Sequence, residues 1–99
     1  MWTMIATAYT AHCLGCSGYT ASGIRLDAPY HVVAASRHWA IGTCLELLID
    51  GQWVRYTVQD RGRKIRRKNR IDVLVSSENA AKSWGRREIK VTYCDDYNL

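Results

Sequence analysis

The sequence predicts a small, mostly β domain whose strands close into a barrel, and three observations carry that expectation. Six short segments are β-branched, aromatic or alternately apolar and polar, and turn residues bound them. Asp50-Gly51, between two of these segments, is a two-residue hairpin signal. Only one stretch, Ser77 to Gly85, carries both a start and a stop signal for a helix. Sandwiches ordinarily need about seven strands or more, so six short ones favour a closed barrel.

Met4 to Tyr9 reads as the first strand, followed by a loop over Ala11 to Gly23 with turn residues at Gly15, Ser17, Gly18 and Gly23. After Pro29, His31 to Ala35 is a second strand, and the apolar run Thr43 to Ile49 a third. The hairpin returns into Gln52 to Gln59, where Trp53, Arg55 and Thr57 alternate with Val54, Tyr56 and Val58, as a strand with one buried face requires. Arg70 to Val75 is the fifth strand and Glu88 to Tyr93 the sixth. Between them Ser77 is placed to cap the free N–H groups of a short helix, Glu78 suits its first turn, and Gly85 ends it.

The chain has 99 residues, enough for one domain spanning 1–99 but not for two independent cores. Its 47% hydrophobic and 23% charged content excludes a disordered chain. No apolar run approaches the roughly 20 residues that cross a bilayer, so membrane insertion is not expected. Met1-Trp2-Thr3-Met4-Ile5 has no basic segment and no long apolar one, so no signal peptide is visible.

The net charge is +5, and Arg61, Arg63, Lys64, Arg66, Arg67, Lys68 and Arg70 fall within ten positions. Such a block attracts a polyanion, although sign alone does not choose between nucleic acid, anionic glycan and lipid. Cys13 and Cys16 form a C-x-x-C pair, while Cys44 and Cys94 stand apart on expected strands. Four cysteines allow three disulfide connectivities, and spacing selects none of them. Disulfides rank first, free thiols second and zinc third, since only one paired half-motif is present. His12, His31 and His38 show no metal spacing, and no metal or cofactor is expected.

Seven short motifs then follow one another in a distinctive order. They are Ala6-Thr7-Ala8-Tyr9-Thr10, Gly15-Cys16-Ser17-Gly18, Thr20-Ala21-Ser22-Gly23, Val33-Ala34-Ala35 leading to Ile41-Gly42-Thr43, Val58-Gln59-Asp60-Arg61-Gly62, Asn69-Arg70-Ile71-Asp72, and Ala80-Ala81 to Trp84-Gly85. This order resembles the three-aspartate (3D) domain of the double-psi β-barrel group. That group includes the catalytic domain of membrane-bound lytic transglycosylase A, rare lipoprotein A and, more distantly, the expansins. The resemblance implies a six-stranded double-psi β-barrel with one saccharide groove. It also implies a lytic transglycosylase, cleaving the MurNAc–GlcNAc bond of peptidoglycan with formation of a 1,6-anhydro sugar. Two of the family's groove aspartates match Asp60 and Asp72. The first falls on Ser36, which holds no charge; the family's Gly-Gly-Ala-Ile-Lys-Gly loop becomes the longer, basic Arg63-Lys64-Ile65-Arg66-Arg67-Lys68; and the proline often found before Ile-Gly-Thr is Ala40.

A lytic transglycosylase needs one group that protonates the leaving oxygen and then accepts the proton of the sugar's own 6-hydroxyl. Asp72, between Ile71 and Val73 in an apolar strand, is the expected acid/base, because burial disfavours its charged form. Asp60, beside Arg61, is expected to stabilise positive charge at the sugar ring or to orient the substrate. Tyr9, Thr10, Ser36 and Asn69 are candidates for sugar hydroxyls, and Arg70 for a lactyl or peptide carboxylate. Trp39, Trp53 and Trp84 are weaker candidates for stacking on sugar faces.

The leading expectation is therefore an enzyme acting on peptidoglycan glycan strands, a monomer at the cell envelope or outside the cell, secreted or delivered by a phage. The alternative is a non-catalytic, expansin-like wall-binding module, for which Ser36 is the main argument. A nucleic-acid-binding barrel, motivated only by the basic block, ranks third.

Overall fold

Each strand contributes alternate side chains to one common core. The computed structural model describes residues 1–10, 31–62 and 65–94. The loop from Ala11 to Gly23 with its Cys13/Cys16 pair, and Arg63 and Lys64, lie outside them. β1 (Trp2–Tyr9) contributes Met4 and Ala6 to the core, and β2 (Val32–Ala35) contributes Val33 and Ala35. β3 (Cys44–Ile49) adds Leu45 and Leu47, and β4 (Gln52–Asp60) adds Val58. β5 (Arg70–Leu74) supplies Ile71 and Val73, and β6 (Arg87–Tyr93) supplies Ile89 and Val91.

The strands form a closed barrel in the order β1-β5-β2-β4-β3-β6, with β6 pairing back onto β1. β1 with β5 and β2 with β4 are parallel, and the other four pairings are antiparallel. This interleaving is the expected double-psi arrangement, and closure removes the exposed edges an open sheet would carry.

The β3–β4 hairpin turns at Asp50 (φ 50°) and Gly51 (φ 81°), two positive-φ positions that Asp-Gly tolerates and β-branched residues do not. The helix α1 (Glu78–Trp84) is capped by Ser77, whose hydroxyl accepts the Ala80 N–H, and ends at Gly85 (φ 64°). Trp84 donates its indole N–H to the Ala6 carbonyl at 3.2 Å and carries the Arg87 guanidinium over its ring, so it anchors the helix to β1.

Cys44 and Cys94 form a disulfide across a sequence separation of 50, next to a backbone bond from Cys94 N–H to the Cys44 carbonyl. Closing a loop of that length lowers the entropy of the unfolded chain by about 4 kcal/mol equivalent. Replacing both cysteines with serine is expected to lower Tm by more than about 10 °C with an unchanged far-ultraviolet spectrum. An unchanged Tm in a thermal melt would contradict this.

Candidate functional site

Four neighbouring strands line up one residue each. Thr7 on β1 lies opposite Asp72 on β5, Asp72 opposite Ala34 on β2, and Ala34 opposite Asp60 on β4. Two strand spacings, roughly 10 Å, therefore separate the aspartate backbones. The residue between them, Ala34, carries only a methyl group and is itself buried.

Asp60 joins this line through an irregularity in the ladder. Counting by alternation from the core residue Val58 would turn Asp60 inward with it. Pairing instead moves from Val33 opposite Val58 to Ala34 opposite Asp60, leaving Gln59 as an extra residue. Such a β-bulge re-aims the side chain that follows it. The Asp60 carboxylate accepts the Tyr9 hydroxyl at 3.0 Å on one oxygen and the Arg61 backbone N–H at 2.8 Å on the other. Tyr9 thus ties β1 to β4 across 51 residues of sequence.

Asp72 accepts the Thr7 hydroxyl at 3.0 Å, and Thr7 in turn accepts from Arg70 Nη2 at 3.5 Å. Burial pushes the Asp72 carboxyl above the usual carboxylate range; the Thr7 bond and the Arg70 charge pull it partly back, and the Asp60 charge adds a smaller push upward. Burial, and then the Asp60 charge, likewise raise the Tyr9 phenol, so its proton stays on and is donated. Arg70 Nε is buried without a hydrogen-bond partner among the described residues. A donor left in that condition favours an incoming acceptor.

Of the other expected site residues, Thr10 is buried just beyond β1. Ser36 is also buried: its hydroxyl meets His38 Nδ1 at 3.0 Å, and its carbonyl accepts Arg61 Nη1 at 3.2 Å and the Trp39 N–H. Ser36 lines a cavity of about 440 Å³ with Arg37, His38, Arg61, Gly62, Ile65 and Arg66, beside the carboxylate line. Asn69 lines a different cavity, with Trp2 and Trp39. Trp84 is packed against the core, and Trp53 is exposed on β4. The structure therefore brings Tyr9, Asp60, Asp72 and Arg70 together and places Asn69 elsewhere. Thr7 and Ala34 had no assigned role in the sequence reading. Thr7 shares the face of Tyr9 by the period of two, a signal that could have found it.

The basic block divides. Ile65 is buried, and a Cβ on Gly62 would come within 2.6 Å of its Cδ1, so a side chain at 62 would force Ile65 to shift. Arg61 turns to the carbonyls of Ala35 and Ser36, while Arg66, Arg67 and Lys68 are exposed. Among the described residues, no group of three or more His, Cys, Asp or Glu is placed to hold a metal. No helix among them is long and apolar enough to cross a membrane.

No protein-family model matches the chain. Over 90 residues it is 34% identical to the putative cell wall shaping protein YabE of Bacillus subtilis (strain 168), covering 90% of this chain and 22% of that one. It is 38% identical over 90 residues to the cell wall-binding protein YocH of the same organism, covering 90% of this chain and 31% of that one. The chain thus spans less than a third of the length of either relative. The apo expansin of Clavibacter michiganensis superposes with a TM-score of 0.69 at 19% identity, over 95% of this chain and 50% of that one. A mutant of that expansin in complex with cellohexaose superposes with a TM-score of 0.65 at 19% identity, over 96% and 52%. The Streptomyces papain inhibitor shares the fold at a TM-score of 0.59 and 21% identity, over 92% and 94%. At such identities the likeness is one of fold, and that fold serves unrelated functions.

Proposed function

We propose that this barrel is a three-aspartate-type domain that binds the glycan strands of peptidoglycan across the line of Thr7, Asp72, Ala34 and Asp60. The observation that carries the reading is that line itself, two carboxylates flanking an alanine with the Tyr9 hydroxyl bonded to one of them. Carboxylates accept hydrogen bonds from sugar hydroxyls, and charge-assisted bonds of this kind are the stronger ones. Arg70, whose guanidinium reaches the Thr7 hydroxyl, is assigned to a lactyl or peptide carboxylate. The names of the two Bacillus relatives, and the oligosaccharide complex of the expansin mutant, support a wall glycan as ligand and the cell envelope or exterior as location. Co-sedimentation with purified sacculi tests it. The protein is expected in the pellet and is released by excess soluble glycan strands; protein that stays in the supernatant contradicts the reading.

A second reading, lytic cleavage, is favoured by one observation, the raised proton affinity of Asp72. A carboxyl whose proton affinity is raised by burial is suited to protonate the glycosidic oxygen as the bond to the anomeric carbon breaks. The resulting carboxylate then takes the proton of the sugar's 6-hydroxyl as that oxygen closes on the same carbon. Asp60, already bonded to Tyr9 and Arg61, contributes negative charge to the developing oxocarbenium ion. Water is not a reactant, so no second carboxylate is needed to activate it. Mass spectrometry of digested sacculi distinguishes the readings, since anhydro-muropeptides arise from cleavage and not from binding.

The basic loop is assigned to capture. Replacing Arg66 and Arg67, together with Arg63 and Lys64, by glutamine is expected to weaken retention on sacculi and to flatten its salt dependence, since exposed charges are screened over about 8 Å at physiological ionic strength. Sacculus affinity unchanged by the four substitutions, with loss of retention on DNA, would move the loop to a nucleic-acid role.

A further inference from the structure

At one end of the barrel the inward-facing series runs out into solvent as aromatic rings. Trp2 continues the row of Met4 and Ala6 on β1, and Tyr93 continues that of Ile89 and Val91 on β6. Trp2 stacks on Trp39 with centroids 5.5 Å apart and planes 12° apart, and Tyr93 meets both rings at 5.1 and 6.0 Å. Trp39 is fixed by its own indole N–H, donated to the Lys68 carbonyl at 2.7 Å. These rings line a cavity of about 530 Å³ together with Thr3, Lys68 and Asn69.

Two features separate this cavity from ordinary core. Tyr93 is 60% exposed, so the platform is open to solvent. The indole N–H of Trp2 is buried with no hydrogen-bond partner among the described residues, a state that costs free energy until an acceptor arrives. An occupant must then offer an apolar face to the rings, an acceptor to Trp2 and polar groups to Thr3, Lys68 and Asn69. A pyranose meets these needs with its C–H face, and an acetamide carbonyl supplies the acceptor. No acidic side chain lines the cavity among the described residues, so Lys68 also admits an anionic substituent.

We propose that this aromatic cavity is a second saccharide subsite, taking an N-acetylated pyranose of the glycan outside the carboxylate groove. The proposal rests on the wall-glycan reading given above. Asn69 lines the cavity and Asp72 belongs to the carboxylate line, three residues apart on one segment entering β5, about 10 Å at strand rise. One glycan chain of a few sugars can therefore engage both.

The test is a titration with a soluble tetramer of N-acetylglucosamine, followed by calorimetry and by the indole N–H resonance of Trp2. The resonance is expected to shift saturably in the wild type. Tyr93→Ala is expected to weaken binding roughly five- to tenfold, the usual cost of truncating an aromatic anchor, and Tyr93→Phe to stay within about twofold. Should Tyr93→Ala fail to fold, Lys68→Ala reads the same cavity through weaker binding of glycan strands that carry lactyl carboxylates. A Trp2 resonance that stays fixed while Asp60→Asn still weakens binding overturns the subsite and leaves the groove reading intact. Wild-type protein that binds neither the tetramer nor sacculi overturns both.

Discussion

Asp72→Asn is expected to end any release of anhydro-sugars from sacculi while leaving a folded protein that still binds the wall. The substitution keeps the shape of the side chain and its acceptor for Thr7 but removes the transferable proton. General acid–base groups contribute about 10²- to 10⁴-fold, so residual release above a few per cent would remove Asp72 from the chemistry. A stability signature accompanies the loss. Because the folded-state affinity of Asp72 for its proton is raised, the unfolded chain releases that proton first as pH rises, and stability falls through the interval from the usual carboxylate value to the raised one. Above that interval the full cost is present; below it both states are protonated and the cost is absent. Asp72→Asn is therefore expected to melt at a higher temperature than the wild type near pH 7 and at the same temperature near pH 3. A variant that is less stable than the wild type at neutral pH would contradict the burial assigned to this carboxyl.

Asp60→Ala is expected to weaken binding to glycan strands by roughly ten- to a hundredfold, the range of about 1.5–3 kcal/mol for hydrogen bonds to a charged group. It removes a carboxylate from the groove and strands the Tyr9 hydroxyl and the Arg61 N–H, which now share it. Tyr9→Phe is expected to cost less, because the carboxylate stays. Calorimetry with soluble glycan strands measures both, and equal affinity of Asp60→Ala and wild type would take Asp60 out of the site.

Much of the barrel was legible because each strand announces itself locally. Val54, Tyr56 and Val58 alternate with polar neighbours, Asp50-Gly51 supplies its own turn, and Ser77 and Gly85 bound the helix by capping chemistry. The candidate site was legible only in part, since its contacts join residues far apart in the chain. Asp60 and Asp72 came from the order of motifs, whereas the bonds Tyr9–Asp60 and Thr7–Asp72 depend on which strands pair, 51 and 65 residues apart. The bulge at Gln59 leaves no mark in composition or periodicity, and strict alternation would have turned Asp60 into the core. Asn69 and Arg70 are neighbours, yet one lines the aromatic cavity and the other adjoins Thr7, a divergence fixed by where β5 begins. Trp2 drew no assignment because it precedes the strand read from Met4 to Tyr9, whereas β1 begins at Trp2, and its buried N–H is visible only with its surroundings in place.

Chemical-shift mapping on the amide spectrum shows whether a wall glycan lies across the four-strand line. On titration with soluble peptidoglycan glycan strands, the largest perturbations are expected at Thr7, Tyr9, Ala34, Asp60 and Asp72, with the β3–β4 hairpin at Asp50 and Gly51 unmoved. Perturbations confined to Arg66, Arg67 and Lys68, with the line silent, would contradict that placement and reduce the interaction to surface charge.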